Sequence, residues 1–456
     1  VHRAQPARKI GKFDGATRAG PVMPDAGQMP QPEVSIVIPY YDDQPRLTLL
    51  LRALDQQACD ERFDVVIADD GSPEPPVVPN GLGVDCTVVR QADEGFRAAA
   101  ARNLGAASAA GGLLLFLDGD TLPAAGYVAA MCRTLRAIDD GHGTLVVGRR
   151  RHADLGEAHD AERLAFLRAL PQDAAAEVPP VAGAIRLLGD PQWLLDGYRR
   201  TDNLRSATDE DFRLVISAVL GMDRRLWEAT GGFDEDFVGY GGEDWDFGWR
   251  AWLAGGQFAY EPAAVAWHDG PDAAGRKLDP TVKNAECLRL AQTVALPSVR
   301  GTGLILHQPE IVISYLGPTT GTAADAAVVA CIAGLLDGAD AAVWFPRCAD
   351  SAAMTDLPPL LRGDPRIHAG EVPRTVLVRA RYQVRVHRPV RLLMSLPDCC
   401  SLGEWDVPGS LRIRRTRSMH RGEPPPAGVP TAAGPETQAV QLIPADVSLE
   451  RWWAGW

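Results

Sequence analysis

The chain has 456 residues, with 46 Lys and Arg against 59 Asp and Glu and a formal charge of -13. That length exceeds one small core and predicts two domains of unequal size. The acidic balance argues against a nucleic-acid binder, because phosphate contacts need clustered Lys and Arg, and against docking on an anionic membrane.

Residues 1 to about 32 are rich in Pro, Gly and Ala, lack periodicity and read as a loose arm. VSIVIPYY, from Val34, is an unbroken apolar run suited to a strand buried on both faces. RLTLLLRALDQQ follows with Leu47, Leu50, Leu51 and Leu54 at helical spacing. FDVVIADDGS, CTVVRQ and LLLFLDGD read as further strands, and FRAAAARNLGAASAA and YVAAMCRTLRAI as helices. This alternation predicts an α/β fold with a largely parallel sheet flanked by helices. Ligands of such sheets bind beyond the carboxyl ends of the strands. Those ends carry Tyr40 to Asp43, Asp69 to Ser72 and Asp118 to Asp120.

Arg149, Arg150 and Arg151 form a tight basic run that reads as a solvated loop. Residues 150 to 211 are polar, with helical patches LAFLRAL and PQWLLDGYRR. FRLVISAVLGMDRRLW reads as strand into helix, GGFDEDFVGYGGEDWDFGWR as a glycine-rich turn into an aromatic-rich helix, and QFAYEPAAVAWHD as a closing strand. A helix around 285 to 300 and Pro297 mark a boundary, which makes 33–295 the main domain and 296–456 a smaller auxiliary α/β domain. GEPPPAGVPTAAGPE reads as a linker, and the final LERWWAGW as packing back on the body rather than as a sugar platform, the alternative its tryptophans leave open.

No stretch reaches the length a bilayer span requires, and the opening VHRAQPARKIGKFDG lacks an apolar secretory core. The eight cysteines show no C-x-x-C pair, and adjacent Cys399 and Cys400 make no zinc spacing. Free thiols and a soluble cytoplasmic protein are expected.

The acidic positions each carry two readings. D-x-D triplets recur at Asp209/Asp211, Asp234/Asp236 and Asp244/Asp246; Asp118-Gly119-Asp120 differs because it ends an apolar strand. Metal on a diphosphate and a solvated turn both stand open there. Asp69 and Asp70, followed by Gly71 and Ser72, suit a turn or cap, or a carboxylate accepting from a uracil N–H. Arg102, beside Asn103 on a helix, suits diphosphate oxygens or solvent. Glu243 and Asp244 head a helix, where the dipole favours carboxylates and keeps Asp244 ionised at neutral pH. Capping does not explain the glycines at 231, 232, 241 and 242, or Tyr240, Trp245 and Trp249, whose faces suit sugar rings. His268 is a structural histidine, or joins Asp120 in a mixed O/N site for Mn²⁺ or Mg²⁺.

In this order, VSIVIPYYD, VVIADDGS, GFRAAAARNLG, LLLFLDGD, GGFDEDFVGYGGEDWDFGWR and PAAVAWH resemble glycosyltransferase family 2 of the GT-A fold over roughly residues 34 to 270. The second half is similar to the galactosyltransferase C-terminal region, as in chondroitin-polymerase-type enzymes. The resemblance implies a metal-dependent inverting transferase that moves a sugar from a UDP-sugar to a hydroxyl acceptor on a glycan, peptide or specialised metabolite. It implies nucleotide-sugar contacts from Pro39, Tyr41, Asp42, Asp70, Arg102 and Asp118, with Asp42 and Asp70 on the nucleoside and Asp118 on ribose or donor. It implies Mn²⁺ or Mg²⁺ on Asp120 and His268, Glu243 orienting the acceptor, and Asp244 as catalytic base. Retaining polypeptide N-acetylgalactosaminyltransferases look similar but usually have Asn where Asp244 stands, so the acid implies inversion. Two alternatives are a nucleotide-sugar-forming nucleotidyltransferase, whose early Arg-containing glycine loop is missing from VSIVIPYYDDQPR, and a non-catalytic sugar-binding scaffold. The tail after about 300 carries no family role, and acceptor choice is expected in 150–211 and in that tail.

Overall fold

The unbroken run at Val34 forms strand β1 (Val34–Tyr40), buried almost throughout. The computed structural model describes residues 32–448 apart from 139, 157, 170–184, 272–279, 302, 320–321, 349–356, 425–439 and 445–446. The expected arm up to residue 31, the linker from Pro425 on and the tryptophan tail lie outside the described residues. Helix α1 (Gln44–Leu54) is started by Asp43, whose side chain accepts from the Arg46 N–H at 3.2 Å. Its Leu47, Leu50, Leu51 and Leu54 are buried in the core, as the spacing predicts. β2 (Phe63–Asp69), β3 (Asp85–Arg90), α2 (Ala98–Ser108), β4 (Leu113–Leu117), β5 (Thr121–Pro123) and α3 (Tyr127–Ala137) follow. Alanine-rich α2 seats close on the sheet. A Cβ at Gly105 would stand 2.4 Å from the Val37 side chain, so only glycine allows that approach.

The second half of this sheet holds β6 (Thr144–Asp154), α4 (Asp160–Ala169), β7 (Arg186–Leu187), α5 (Gln192–Arg200), β8 (Val219–Asp223), α6 (Arg224–Thr230), α7 (Glu243–Leu253) and β9 (Gln257–Asp269). The strand order is β3-β2-β1-β4-β8-β6-β9-β5, with β7 against β6. β3, β2, β1 and β4 run parallel, as do β6 and β9, and β8 enters antiparallel between β4 and β6. The expected strand in FRLVISAVLGMD is shorter than its apolar run: a 3-10 turn occupies Asp211–Leu214 before β8. Asp223 ends β8 and caps α6 by accepting from the Leu226 N–H at 3.0 Å. The arginine run, expected as a solvated loop, lies inside β6. Arg149 and Arg151 pair with Asp190 at 2.8 and 3.2 Å, and Arg151 stacks 4.5 Å from the centroid of Trp267. A carboxylate from another element makes strand residues of charges that read locally as loop.

Helices α8 (Pro280–Thr293) and α9 (Pro297–Arg300) lead to a second unit. It comprises β10 (Ile311–Tyr315), α10 (Thr322–Leu336), β11 (Ala341–Phe345), α11 (Pro359–Arg362), β12 (Ile367–Ala369), α12 (Arg374–Leu377) and β13 (Tyr382–Val386). β14 (Val390–Leu392), α13 (Leu396–Leu402), β15 (Trp405–Val407), β16 (Leu411–Arg415), α14 (Thr416–His420) and β17 (Val440–Leu442) complete it. Its sheet runs β12-β11-β10-β13-β16-β15, parallel as far as β13 and antiparallel beyond, and β14 pairs with β17. The first large core ends at Leu296 and the second begins at Ile311. α14 docks on the end of α7, with the Arg417 guanidinium 3.5 Å from the Trp252 ring centroid. Among the described residues no helix is long and apolar enough to cross a membrane, and all eight cysteines are free.

Candidate active site

The turn from β4 to β5 holds Asp118, Gly119 and Asp120. β5 pairs antiparallel with β9 and sets Thr121 opposite His268. This register brings Asp120 Oδ2 to 3.2 Å from His268 Nε2. The Nδ1 of His268 lies 3.1 Å from the Gly270 carbonyl, which only accepts, so Nδ1 carries a proton and donates it. A neutral ring then turns its Nε2 lone pair toward the carboxylate. Either Nε2 is protonated and the two form an ion pair, or a cation takes the proton's place. Burial works to raise the Asp120 pKa, but His268 and the Thr121 hydroxyl outweigh it and hold the group below its usual range. No group of three or more His, Cys, Asp or Glu disposed to hold a metal occurs among the described residues. The carboxylate and imidazole of this pair are by type ligands for Mn²⁺ or Mg²⁺, and an ion held by two side chains would take its remaining ligands from phosphates and water.

Arg102 joins this strand end to helix α7. Its Nη2 lies 2.7 Å from Asp118 Oδ1 and its Nη1 3.1 Å from Glu243 Oε1. The Arg102 side chain is only 3% exposed, and the two acids raise its pKa although burial opposes the charge. The sequence suits Arg102 to diphosphate oxygens or solvent; its terminal nitrogens here meet two protein carboxylates, and it also lines a large cavity. It spaces the β4 end from α7. The start of α7 also explains two glycines that capping leaves over. Gly242 has φ +95°, and a Cβ on it would meet the Phe237 ring at 2.9 Å; one on Gly241 would meet the Glu286 carboxylate at 2.9 Å. Asp244 accepts from the Trp245 N–H at 2.9 Å. Burial and the adjacent Glu243 push its pKa up to about 7, opposed by Arg102. The pull of the helix dipole, expected to keep it ionised, is opposed there by desolvation and a second carboxylate.

The β1 and β2 ends lie alongside. The Asp42 N–H donates to Ser72 Oγ at 2.9 Å, and the Ser72 N–H and hydroxyl donate to Asp69 Oδ1 at 2.9 and 2.5 Å. Asp42 has φ +45°, a strained conformation for a side-chain-bearing residue. Asp70 accepts from Gln91 Nε2 at 2.5 Å and from the Arg97 N–H at 2.7 Å. Both its oxygens are thus engaged within the protein, which ties the start of α2 to the end of β2. Tyr41 is exposed, and Pro39 adjoins Gly119, where a Cβ would stand 3.6 Å from the Pro39 carbonyl oxygen.

A cavity of about 1030 Å³ opens beside these strand ends. Its walls include Arg102, Asp118, Glu243 and Asp244, with the half-exposed aromatics Trp193 and Tyr240. Pro39, Tyr41, Asp42, Asp70, Asp120 and His268 are not wall residues. The predicted residues therefore fall into two groups, joined through Asp118-Gly119-Asp120. Sequence reasoning gave no site role to Arg150, Trp193, Arg200, Asp211, Lys283 or Glu286, which also line the cavity. Lys283 pairs with Glu286 at 2.7 Å and lies 5.2 Å from the Trp245 ring centroid. These residues come from β6, α5, the 3-10 turn and α8, and no shared motif marks them.

Residues 35–189 match glycosyl transferase family 2, and residues 208–266 match a family described as the N-terminal domain of galactosyltransferase. The chain is similar to chondroitin synthase of Pasteurella multocida (strain Pm70), 30% identical over 247 residues, which cover 52% of this chain and 25% of that protein. It is similar to validoxylamine A glucosyltransferase of Streptomyces hygroscopicus subsp. limoneus, 32% identical over 227 residues, 48% of each chain. It thus spans between a quarter and about half the length of these relatives. Among solved structures it is similar to GalNAc-T7 with UDP, GalNAc and Mn²⁺, at a TM-score of 0.38 and 18% identity over 58% of this chain and 48% of that one. Both matches fall within residues 34 to 270, where the ordered motifs resemble glycosyltransferase family 2 and the galactosyltransferase region. The first match holds Asp118 and Asp120, and the second holds Glu243 and Asp244.

Proposed function

We propose that the protein is a metal-dependent inverting glycosyltransferase that moves a sugar from a UDP-sugar to a hydroxyl acceptor. The observation that carries this reading is Asp244. It is a carboxylate whose pKa burial and the adjacent Glu243 raise, in the wall of a large cavity and linked through Glu243 and Arg102 to the acidic end of β4. A general base works best with a pKa near the working pH. The two relatives, named as a chondroitin synthase and a glucosyltransferase, support the reaction class.

In this reading the nucleoside lies on the β1 and β2 ends, against Pro39, Tyr41, Asp42 and Asp70. Asp118 faces the ribose or donor sugar at the cavity's edge, and the acceptor enters the cavity. Glu243 orients the acceptor hydroxyl. As the acceptor oxygen bonds to the anomeric carbon and the bond to the diphosphate breaks, the hydroxyl proton passes to Asp244. The transition state is oxocarbenium-like, by analogy with glycoside hydrolysis. Asp120 and His268 would hold Mn²⁺ or Mg²⁺, whose charge would offset that growing on the departing UDP. Residues 296–456 are an auxiliary domain, and the free cysteines suit a cytoplasmic protein.

The test is a panel of UDP-sugars incubated with Mn²⁺ and no acceptor. Slow release of UDP and free sugar supports the reading. Release of pyrophosphate from a sugar phosphate and a nucleoside triphosphate marks a nucleotidyltransferase. Binding without turnover, even with acceptors supplied, marks a scaffold.

A further inference from the structure

The three other D-x-D triplets have a use, and it points to the second unit. Arg379 and Arg381, just before and at the entry to β13, meet one aspartate of each. Arg379 Nη2 lies 2.6 Å from Asp234 Oδ2 and its Nη1 2.7 Å from Asp246 Oδ1. Arg381 Nε lies 2.6 Å from Asp209 Oδ2. Asp246 has no solvent exposure, and its other oxygen accepts from Arg250 Nε at 2.8 Å. Arg250 Nη1 in turn donates to the carbonyls of Thr230 and Gly232 at 2.8 and 2.7 Å. On the opposite side Asn103 accepts from the Phe233 N–H at 2.8 Å and donates to its carbonyl at 2.9 Å.

We propose that Arg379 is a positioning residue, which reaches out of the second unit to clamp the glycine loop onto the first turn of α7 and so fixes Glu243 and Asp244 against Asp118. This rests on the transferase reading above. Asp234 lies near the start of that loop, and Asp246 lies one residue beyond Trp245, the neighbour of Asp244. Gly231, Gly232, Gly239, Gly241 and Gly242 all have positive φ and no side chains to hold the loop themselves. A guanidinium fork fixes the distance between two carboxylates, which a lysine ammonium does less rigidly. The auxiliary domain then takes part in catalysis through geometry, although it contributes no group to the reacting atoms.

The test compares the full-length protein with Arg379→Ala, Arg379→Lys and Arg421→Ala. Arg421 joins the same two units at the far end of α7, through the Gly255 carbonyl at 2.9 Å and Asp140 at 2.7 Å. In Arg379→Ala, kcat should fall by about 10- to 100-fold, the scale of a misplacement near 1 Å. Donor KM and the affinity for UDP with Mn²⁺ should stay within about twofold, because the lost interaction is felt in the transition state. Amides of 233–247 should exchange hydrogen faster, Arg379→Lys should recover part of kcat, and Arg421→Ala should keep both kcat and exchange. If Arg379→Ala does not fold, Asp234→Asn removes one arm of the clamp and should give the same split. Unchanged kcat and exchange, an equal loss of kcat in Arg421→Ala, or UDP affinity falling in step with kcat would overturn the proposal. A wild type that transfers no sugar defeats the transferase reading, whereas a wild type matched by Arg379→Ala defeats the clamp alone.

Discussion

His268 Nε2 faces Asp120 Oδ2 at 3.2 Å while the other ring nitrogen donates to the Gly270 carbonyl. Two acceptors so placed call for a proton or a cation. UDP should therefore bind more tightly with Mn²⁺ than without it in titration calorimetry. Asp120→Ala and His268→Ala should each remove that difference. If both variants keep the full metal dependence, the ion is held elsewhere.

Asp244→Asn keeps the shape of the side chain and removes its ability to take a proton. It should fold, bind donor normally and lose transfer by about 10²-fold or more, the usual worth of a positioned base. Glu243→Gln should mainly raise the acceptor KM. NMR of the product should show the anomeric configuration opposite to the donor's, and a retained configuration would end the case for Asp244 as base.

The pKa of Asp244 gives two pH dependences. Transfer should rise with pH through about 7, as the base ionises, and the small residual rate of Asp244→Asn should lack that step. Stability should move the other way. Folding raises this carboxyl from 3.8 to about 7, so between those values the folded state holds a proton that the unfolded chain releases. Its contribution to stability therefore declines as pH rises across that window. Asp244→Asn should melt higher than wild type above pH 7, with the gap closing as pH falls toward about 4. A variant that melts lower than wild type at pH 8 would show that Asp244 is not held against its charge.

Arg102 is buried between Asp118 and Glu243. Arg102→Met preserves much of the volume but leaves both acids without their cation. Unfolding by urea should show a loss of about 3–5 kcal/mol, typical when one partner of a buried pair is removed. Arg102 also opposes the upward shift of Asp244, so the midpoint of the pH–rate profile should move higher. A loss well under 1 kcal/mol would mean that the acids find other partners or protons at little cost.

β1, α1, β4 and β9 were legible from the chain, because burial on two faces, a leucine stripe and an apolar run closing in acids are local patterns that any register preserves. The acidic strand ends were legible for the same reason, since the alternation of strand and helix places them at one edge. The ionic partners were not legible. Arg102 on a helix and Arg149 to Arg151 in a basic run carry the same local signal whether solvated or buried. The pairing of β5 with β9 sets Asp120 against His268, and an ion pair between α2 and the start of α7 joins Arg102 to Glu243. The D-x-D triplets look alike in sequence, yet one ends a strand at the site while members of the others receive Arg379 and Arg381 from the second unit. Residue type and spacing determined which groups could carry charge. Sheet register, burial and the docking of the second unit decided which charges meet, because a Coulomb interaction depends on distance in space and on the local dielectric, and neither is written in the order of the residues.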